Sequence, residues 1–125
     1  MAIENEPTWR SRKGTHYEQA AMRHLYKHGL RLIERNYRCT MGEIDLVMRD
    51  GSTLVFVEVR FRASSYFGDA CETVDHRKQQ KLLRSARYFL LGRKQFANCP
   101  CRFDVVGISV LNQQMHITWL KDAFQ

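Results

Sequence analysis

A chain of 125 residues has room for one hydrophobic core, and its 44% hydrophobic and 26% charged residues match an ordinary globular protein. Its apolar runs fall far short of the ~20 residues that a membrane-spanning helix needs. Its start, MAIENEPTWRSRKG, lacks the apolar stretch of a secretory signal, so the expectation is a cytoplasmic protein with no membrane partner. The formal net charge of +7 is unevenly placed. Arg10 to Arg38 holds eight Lys/Arg against Glu18 and Glu34, and His76 to Phe103 holds eight with no acid. The acids gather between, at Glu43, Asp45, Asp50, Glu58, Asp69, Glu72 and Asp75. An acidic centre between basic arms suits a protein that grips a polyanion, although basic helices are also common as plain solvated faces.

In chain order, residues 1–13 lack periodicity and are expected to form a flexible tail, leaving 14–125 as the single domain. THYEQAAMRHLYKH, from Thr15 to His28, predicts a helix. Thr15 stands at the N-cap with Glu18 at capping-box spacing, Ala21 and Leu25 share one face, and Gly29 is the stop. LRLIERNYR over 30–38 predicts a strand. GEIDLVMRD and TLVFVEVRFR predict a hairpin turning at Asp50-Gly51. The small, polar stretch 63–73 reads as a loop. DHRKQQKLLRSARYFLL over 75–91 predicts a second helix, with Leu82, Leu83, Ala86, Phe89 and Leu90 on one stripe. CRFDVVGISV and QMHITWL predict two closing strands. The order α-β-β-β-α-β-β implies an α/β fold, a mixed sheet flanked by helices.

Side chains alternate along a strand, so Ile44, Leu46 and Met48 are expected on one face and Glu43, Asp45 and Val47 on the other. On the next strand Val55, Val57 and Val59 oppose Leu54, Phe56, Glu58 and Arg60. Two registers match the apolar sets, one pairing 45 with 56 and the other pairing 45 with 58; a three-residue loop breaks the match. Both gather Glu43, Asp45, Glu58 and Arg60 on one face. Carboxylates facing one another across strands repel, so something cationic must offset them. Arg60 and Arg62 could do so as an ion-pair cluster, or a hard divalent cation could be bound there. The four cysteines, Cys39, Cys71, Cys99 and Cys101, form no C-x-x-C pair and read as reduced thiols. The five histidines show no ligand spacing, and Asp104 reads as structural, paired either with Arg102 or with a helix.

The motifs G-E-I-D-L-V at 42–47 and F-V-E-V-R at 56–60 resemble the Asp…Glu-x-Lys core of the restriction-endonuclease-like nuclease superfamily. The chain as a whole resembles the YraN (UPF0102) family, small bacterial proteins related to archaeal Holliday-junction resolvases. That likeness runs from Gly14, Glu18, Ala21 and Gly29 through Asn36 and the core to Gly68, Glu72, Lys78 and R-F-D-V-V at 102–106. It implies a restriction-endonuclease-like fold and an endonuclease that uses Mg²⁺ or Mn²⁺ on structured DNA, such as a junction or flap. RNA as a further partner and a homodimer belong to the same expectation.

Carried over by position, the resemblance makes Asp45 and Glu58 the metal-binding acids and completes the catalytic set with Arg60. It makes Glu18 a further acid beside the metal, against the alternative that Glu18 only caps its helix. Glu43 matches a position with no assigned role. Arg60 stands where the superfamily has lysine, and arginine cannot serve as a base, although it can stabilise charge on a phosphate. Two readings therefore stay open: a metal-dependent nuclease, or a nucleic-acid-binding module that keeps the grip without turnover. A subunit docking on a larger complex through a hydrophobic edge is a third. Lys78 and Lys81 either supply the missing lysine or, with Arg62 and Arg84, contact phosphates. Tyr66 and Phe67 either stack on an unpaired base or close the core.

Overall fold

The computed structural model describes residues 9–62 and 74–125, with side chains at 16–61 and 74–125. The elements are α1 (Trp9–Lys27), β1 (Arg31–Cys39), β2 (Gly42–Asp50), β3 (Thr53–Arg62), α2 (His76–Leu91), a 3₁₀ turn (Lys94–Phe96), β4 (Cys101–Leu111) and β5 (Gln114–Phe124). They follow the expected order. The strands form one sheet in the order β1-β2-β3-β4-β5, antiparallel except where β3 and β4 run parallel. The parallel step needs a crossover, and α2 lies between those two strands in the chain. Among the described residues no helix is long and apolar enough to cross a membrane.

Each face of the sheet carries its own core. On the α1 face, Ala21, Leu25 and Leu30 pack with Leu46, Met48, Val55, Val57, Val106 and Ile108. On the α2 face, Leu82, Ala86 and Phe89 pack with Ile44, Val47, Leu54, Phe56, Phe103 and Val105. The central strands are therefore buried on both sides, which is why they read as near-continuous apolar runs. Asp75 caps α2: its Oδ1 accepts from the Lys78 backbone N–H at 2.8 Å, which fixes where the first turn begins. The turn between β4 and β5 places Asn112 and Gln113 at φ 53° and 64°, between Leu111 paired with Gln114; two positive φ values match the twist of a two-residue hairpin.

Two boundaries differ by several residues from the sequence reading. Helix α1 begins at Trp9 and takes in residues 9–13, which the sequence assigned to the tail; residues 1–8 lie outside the described residues. Thr15 is thus inside the helix, so it is not an N-cap, and Glu18 is not half of a capping box. Strand β5 continues to Phe124, past the expected QMHITWL, because Asp122 adopts φ 51° and absorbs a register shift opposite Phe103 and Val105. The stretch 63–73, with Tyr66, Phe67, Gly68, Cys71 and Glu72, lies outside the described residues, as does the side chain of Arg62.

Candidate active site

The β2–β3 ladder runs from Asp50 opposite Thr53 to Leu46 opposite Val57, which is the register that carries Asp45 toward Glu58. Strand β3 stays paired with β4 as far as Arg62 opposite Ser109. β2 departs at Asp45. Its pleat breaks there: Leu46 and Met48 face α1, whereas Ile44 faces α2 with Val47. This corrects the strict alternation that put Ile44, Leu46 and Met48 on one face. The neighbouring strand yields at the same level. β1 pairs Arg35 with Leu46 and then Tyr37 with Ile44, and the intervening Asn36 sits at φ 53°, a left-handed conformation that asparagine tolerates.

The carboxylate of Asp45 sits at this fork. Its Oδ2 accepts the Val59 backbone N–H at 2.8 Å, so a side chain takes the place of a strand partner where β2 has turned away. Glu58, one position before Val59 on β3, is 5% exposed and faces two cations. Arg60 Nη1 lies 3.2 Å from its Oε2, and Lys78 Nζ, arriving from the first turn of α2, lies 3.6 Å from the same atom. Glu18 approaches Asp45 from α1 and bonds the Asn36 side chain. Glu43 lies at the rim of this group, where its charge is felt by Asp45. With Ile44 turned, the pleat sends Glu43 toward Glu18, and it forms an exposed ion pair with Arg38 at 3.2 Å. Lys81 and Arg84 are exposed on α2.

Charge is held here against solvation. Burial, and then the charge of Glu58, push Asp45 up to about 7, against the pull of the Val59 N–H. Burial and the neighbouring Asp45 push Glu18 up to about 7, with Arg35 and Asn36 opposing. Burial raises Glu58 as well, while Lys78 and Arg60 pull it down. Crowded carboxyls with raised pKa values mark a place where an added cation is stabilising. Among the described residues no three His, Cys, Asp or Glu side chains are gathered as a finished ligand set. The pair that converges, Asp45 and Glu58, is the hard-oxygen donor set that Mg²⁺ accepts while keeping waters or phosphate oxygens as its other ligands.

Sequence reasoning found Asp45, Glu58 and Arg60, and the structure brings these together, with Glu18 beside Asp45. It undervalued Lys78, which reaches Glu58 from the helix facing it, and gave no part to Asn36. Two signals bear on these: an Asp N-cap at 75 fixes which turn of α2 carries Lys78, and an asparagine inside a strand is out of place unless its backbone is unusual. Asp104 is structural, as read: fully buried, it accepts from Arg102 Nε at 3.0 Å, Trp119 Nε1 at 2.9 Å and the Asp122 N–H at 2.9 Å. Cys39, Cys99 and Cys101 are free thiols.

Comparison with known proteins gives one consistent result. The model of the uncharacterised protein family UPF0102 matches residues 17–108, which include every residue of the site. A UPF0102 protein of Stutzerimonas stutzeri (strain A1501) is 50% identical over 112 residues, covering 90% of this chain and 93% of the relative. One from Nitrosococcus oceani is 45% identical over 120 residues, covering 96% and 97%. One from Nitrosomonas europaea is 47% identical over 112 residues, covering 90% and 92%.

Proposed function

The chain belongs to the uncharacterised protein family UPF0102, and from the chemistry of its site we propose a divalent-metal-dependent endonuclease that hydrolyses phosphodiesters in structured DNA. The observation that carries this reading is the fork itself, where Asp45 and Glu58 meet beside Lys78 and Arg60. Two carboxylates and two cations at one partly buried edge match what phosphodiester hydrolysis requires: hard oxygen donors for a metal, and cations for the charge that grows on phosphorus. The likeness of the two core motifs to the restriction-endonuclease-like superfamily supports the same reading.

Asp45 and Glu58 would hold Mg²⁺ or Mn²⁺, with Glu18, which feels the charge of Asp45, as a further candidate ligand. The bound ion would supply Lewis acidity toward the scissile phosphate and lower the pKa of water. The chain's own residues do the remainder. The Val59 N–H holds one oxygen of Asp45 and so orients the carboxylate. Arg60 is a permanent cation beside Glu58 and can bind a phosphate oxygen in the ground and transition states. Lys78 presents an amine from α2 where the superfamily's lysine would come from β3 at position 60. From there it can orient the attacking water and offset charge on the phosphate. An arginine at 60 is therefore compatible with turnover, because the lysine can come from another element.

The test is incubation of the purified protein with labelled four-way junction, flap and duplex DNA in Mg²⁺ or Mn²⁺, beside an Asp45→Asn variant and an EDTA control. Metal-dependent cuts that vanish in the variant are expected. DNA that is retarded but left uncut, alike for both proteins, would overturn the nuclease in favour of a binding module, the reading that Arg60 favours.

A further inference from the structure

Helix α2 presents a second feature that the carboxylate site leaves unused. Arg77, Lys81, Arg84, Tyr88 and Leu91 follow one another at steps of four, three, four and three residues, all exposed, and so form a single line along the helix. The first three are basic. The line then turns apolar: Tyr88 is 48% exposed and Leu91 76% exposed, beside Met41 of the β1–β2 turn at 45%. These three, with Arg84 and Arg87, line a pocket of about 170 Å³. Gly42 is what lets that turn lie so close to the helix, since a Cβ there would stand 3.1 Å from Ser85 Oγ and 3.9 Å from Lys81 Cβ.

An apolar floor with an aromatic wall, rimmed by two arginines, matches one planar base flanked by its phosphates. An acidic partner is also what the surroundings select, because no Asp or Glu occurs from His76 to Phe103. The volume is below that of a pocket for a larger small-molecule ligand, which is typically ~300 Å³ or more. Lys78 and Tyr88 are separated along the helix by ~15 Å at 1.5 Å per residue. That is the rise of about four stacked nucleotides at ~3.4 Å each.

We propose that the outer face of α2 is a track for single-stranded DNA. Lys81 and Arg84 hold phosphates, and the Met41–Tyr88–Leu91 pocket takes one unpaired base about four nucleotides from the phosphate at Glu58 and Lys78. This inference rests on the nuclease reading of the site and narrows its substrate. The preferred DNA carries a single-stranded arm, as a flap does, and an uninterrupted duplex is a poor ligand for the pocket.

Binding separates this inference from the nuclease reading if it is measured without cleavage. Full-length Asp45→Asn protein in EDTA would be titrated by fluorescence anisotropy with a labelled oligothymidylate and with a blunt duplex of similar length. Adding Tyr88→Ala is expected to weaken single-strand binding about five- to a hundred-fold, the usual loss for one stacked base, with little change for the duplex. Tyr88→Phe keeps the ring and should bind like the parent. Arg84→Ala should flatten the dependence of log Kd on log salt by about one unit. Equal binding of Tyr88→Ala and parent to the single strand would overturn the track, as would a parent that binds duplex as well as single strand. A concentration-dependent dimer that dissociates in Leu91→Ala would also overturn it and make the pocket an interface between two copies. Tyr88 is exposed, so circular dichroism melts of both variants should coincide with the parent. None of these outcomes decides whether the wild-type protein cuts DNA, which the cleavage assay reads separately.

Discussion

Lys78 Nζ lies 3.6 Å from Oε2 of Glu58, although the two residues belong to different layers, one at the start of α2 and the other on β3. Asp75 sets that meeting, because its cap bond to the Lys78 N–H fixes the first turn of the helix. If Lys78 supplies the catalytic cation, Lys78→Met should lower kcat by about 10²–10³-fold, the usual cost of one preorganised electrostatic group. The melting temperature should change little, since the side chain is partly exposed. Lys78→Arg should keep the charge and recover part of the loss. A Lys78→Met enzyme with wild-type kcat would return the role to Arg60, and Arg60→Ala would then be the decisive variant.

The pKa of Asp45 leads to a second expectation. Its folded value, about 7, lies above the ordinary 3.8, so the folded state binds that proton more tightly than the unfolded state does. Without a divalent cation, stability is then greatest at acid pH and is lost as pH rises from about 4 to about 7. Glu18, also about 7, acts in the same direction. Asp45→Asn, whose amide oxygen can still accept the Val59 N–H, should therefore raise the melting temperature at pH 8 in EDTA by a few degrees while abolishing activity. Adding Mg²⁺ should stabilise the parent and leave the variant unmoved. A melting temperature that climbs between pH 4 and 7 would show that the carboxyls are not held protonated by their surroundings.

Much of this architecture is legible in the sequence because it rests on periodicity. The α2 stripe, the hairpin and the pairing of apolar faces all follow from which residues must avoid water, and they led to Asp45 and Glu58. What stayed hidden depends on a broken period. Ile44 is turned to the other face where Asn36 takes a left-handed φ and β2 leaves β3 at Asp45, and no hydrophobic pattern signals such a break. The reach of Lys78 was hidden for a different reason: which turn of a helix lies over which strand is set by packing across the sheet and not by local spacing. Thr15 and Glu18 show the opposite failure. A capping-box spacing was present in the sequence but had no helix start to act on.

Gly42 has no freedom to change. Its φ of 147° is one that side chains rarely adopt, and a Cβ would meet Ser85 Oγ at 3.1 Å. Ser85 is fully buried, and its hydroxyl finds no hydrogen-bond partner among the described residues. Gly42→Ala should cost about 1–3 kcal/mol, the scale of a backbone-incompatible substitution. Ser85→Ala removes an unsatisfied buried oxygen and should be neutral or stabilising by up to about 1 kcal/mol. In the double variant Ser85→Ala should recover only the crowding part of the Gly42→Ala loss, because the φ strain remains. Urea unfolding of the four proteins measures each part, and full recovery would mean that the backbone angle costs nothing.

Asp104 offers a contrast with the carboxylates of the fork, since it too is buried yet its oxygens are fully engaged. Arg102 reaches it with Nε at 3.0 Å while its Nη1 holds Asp50 Oδ2 at 3.0 Å, so the network ties the β2–β3 turn to β4. Trp119 Nε1 and the Asp122 N–H bring in β5. Removing the carboxylate leaves a partly buried guanidinium and two N–H donors without their acceptor, which is costly whatever the intact pair contributes. Asp104→Ala should therefore lose about 3–5 kcal/mol in chemical unfolding, the range for breaking a buried ion pair from one side. The residual folded protein should keep its kcat, because none of these contacts reaches Asp45 or Glu58. Stability retained in Asp104→Ala would mean that water satisfies the donors, whereas a lost kcat at full stability would tie this network to the site.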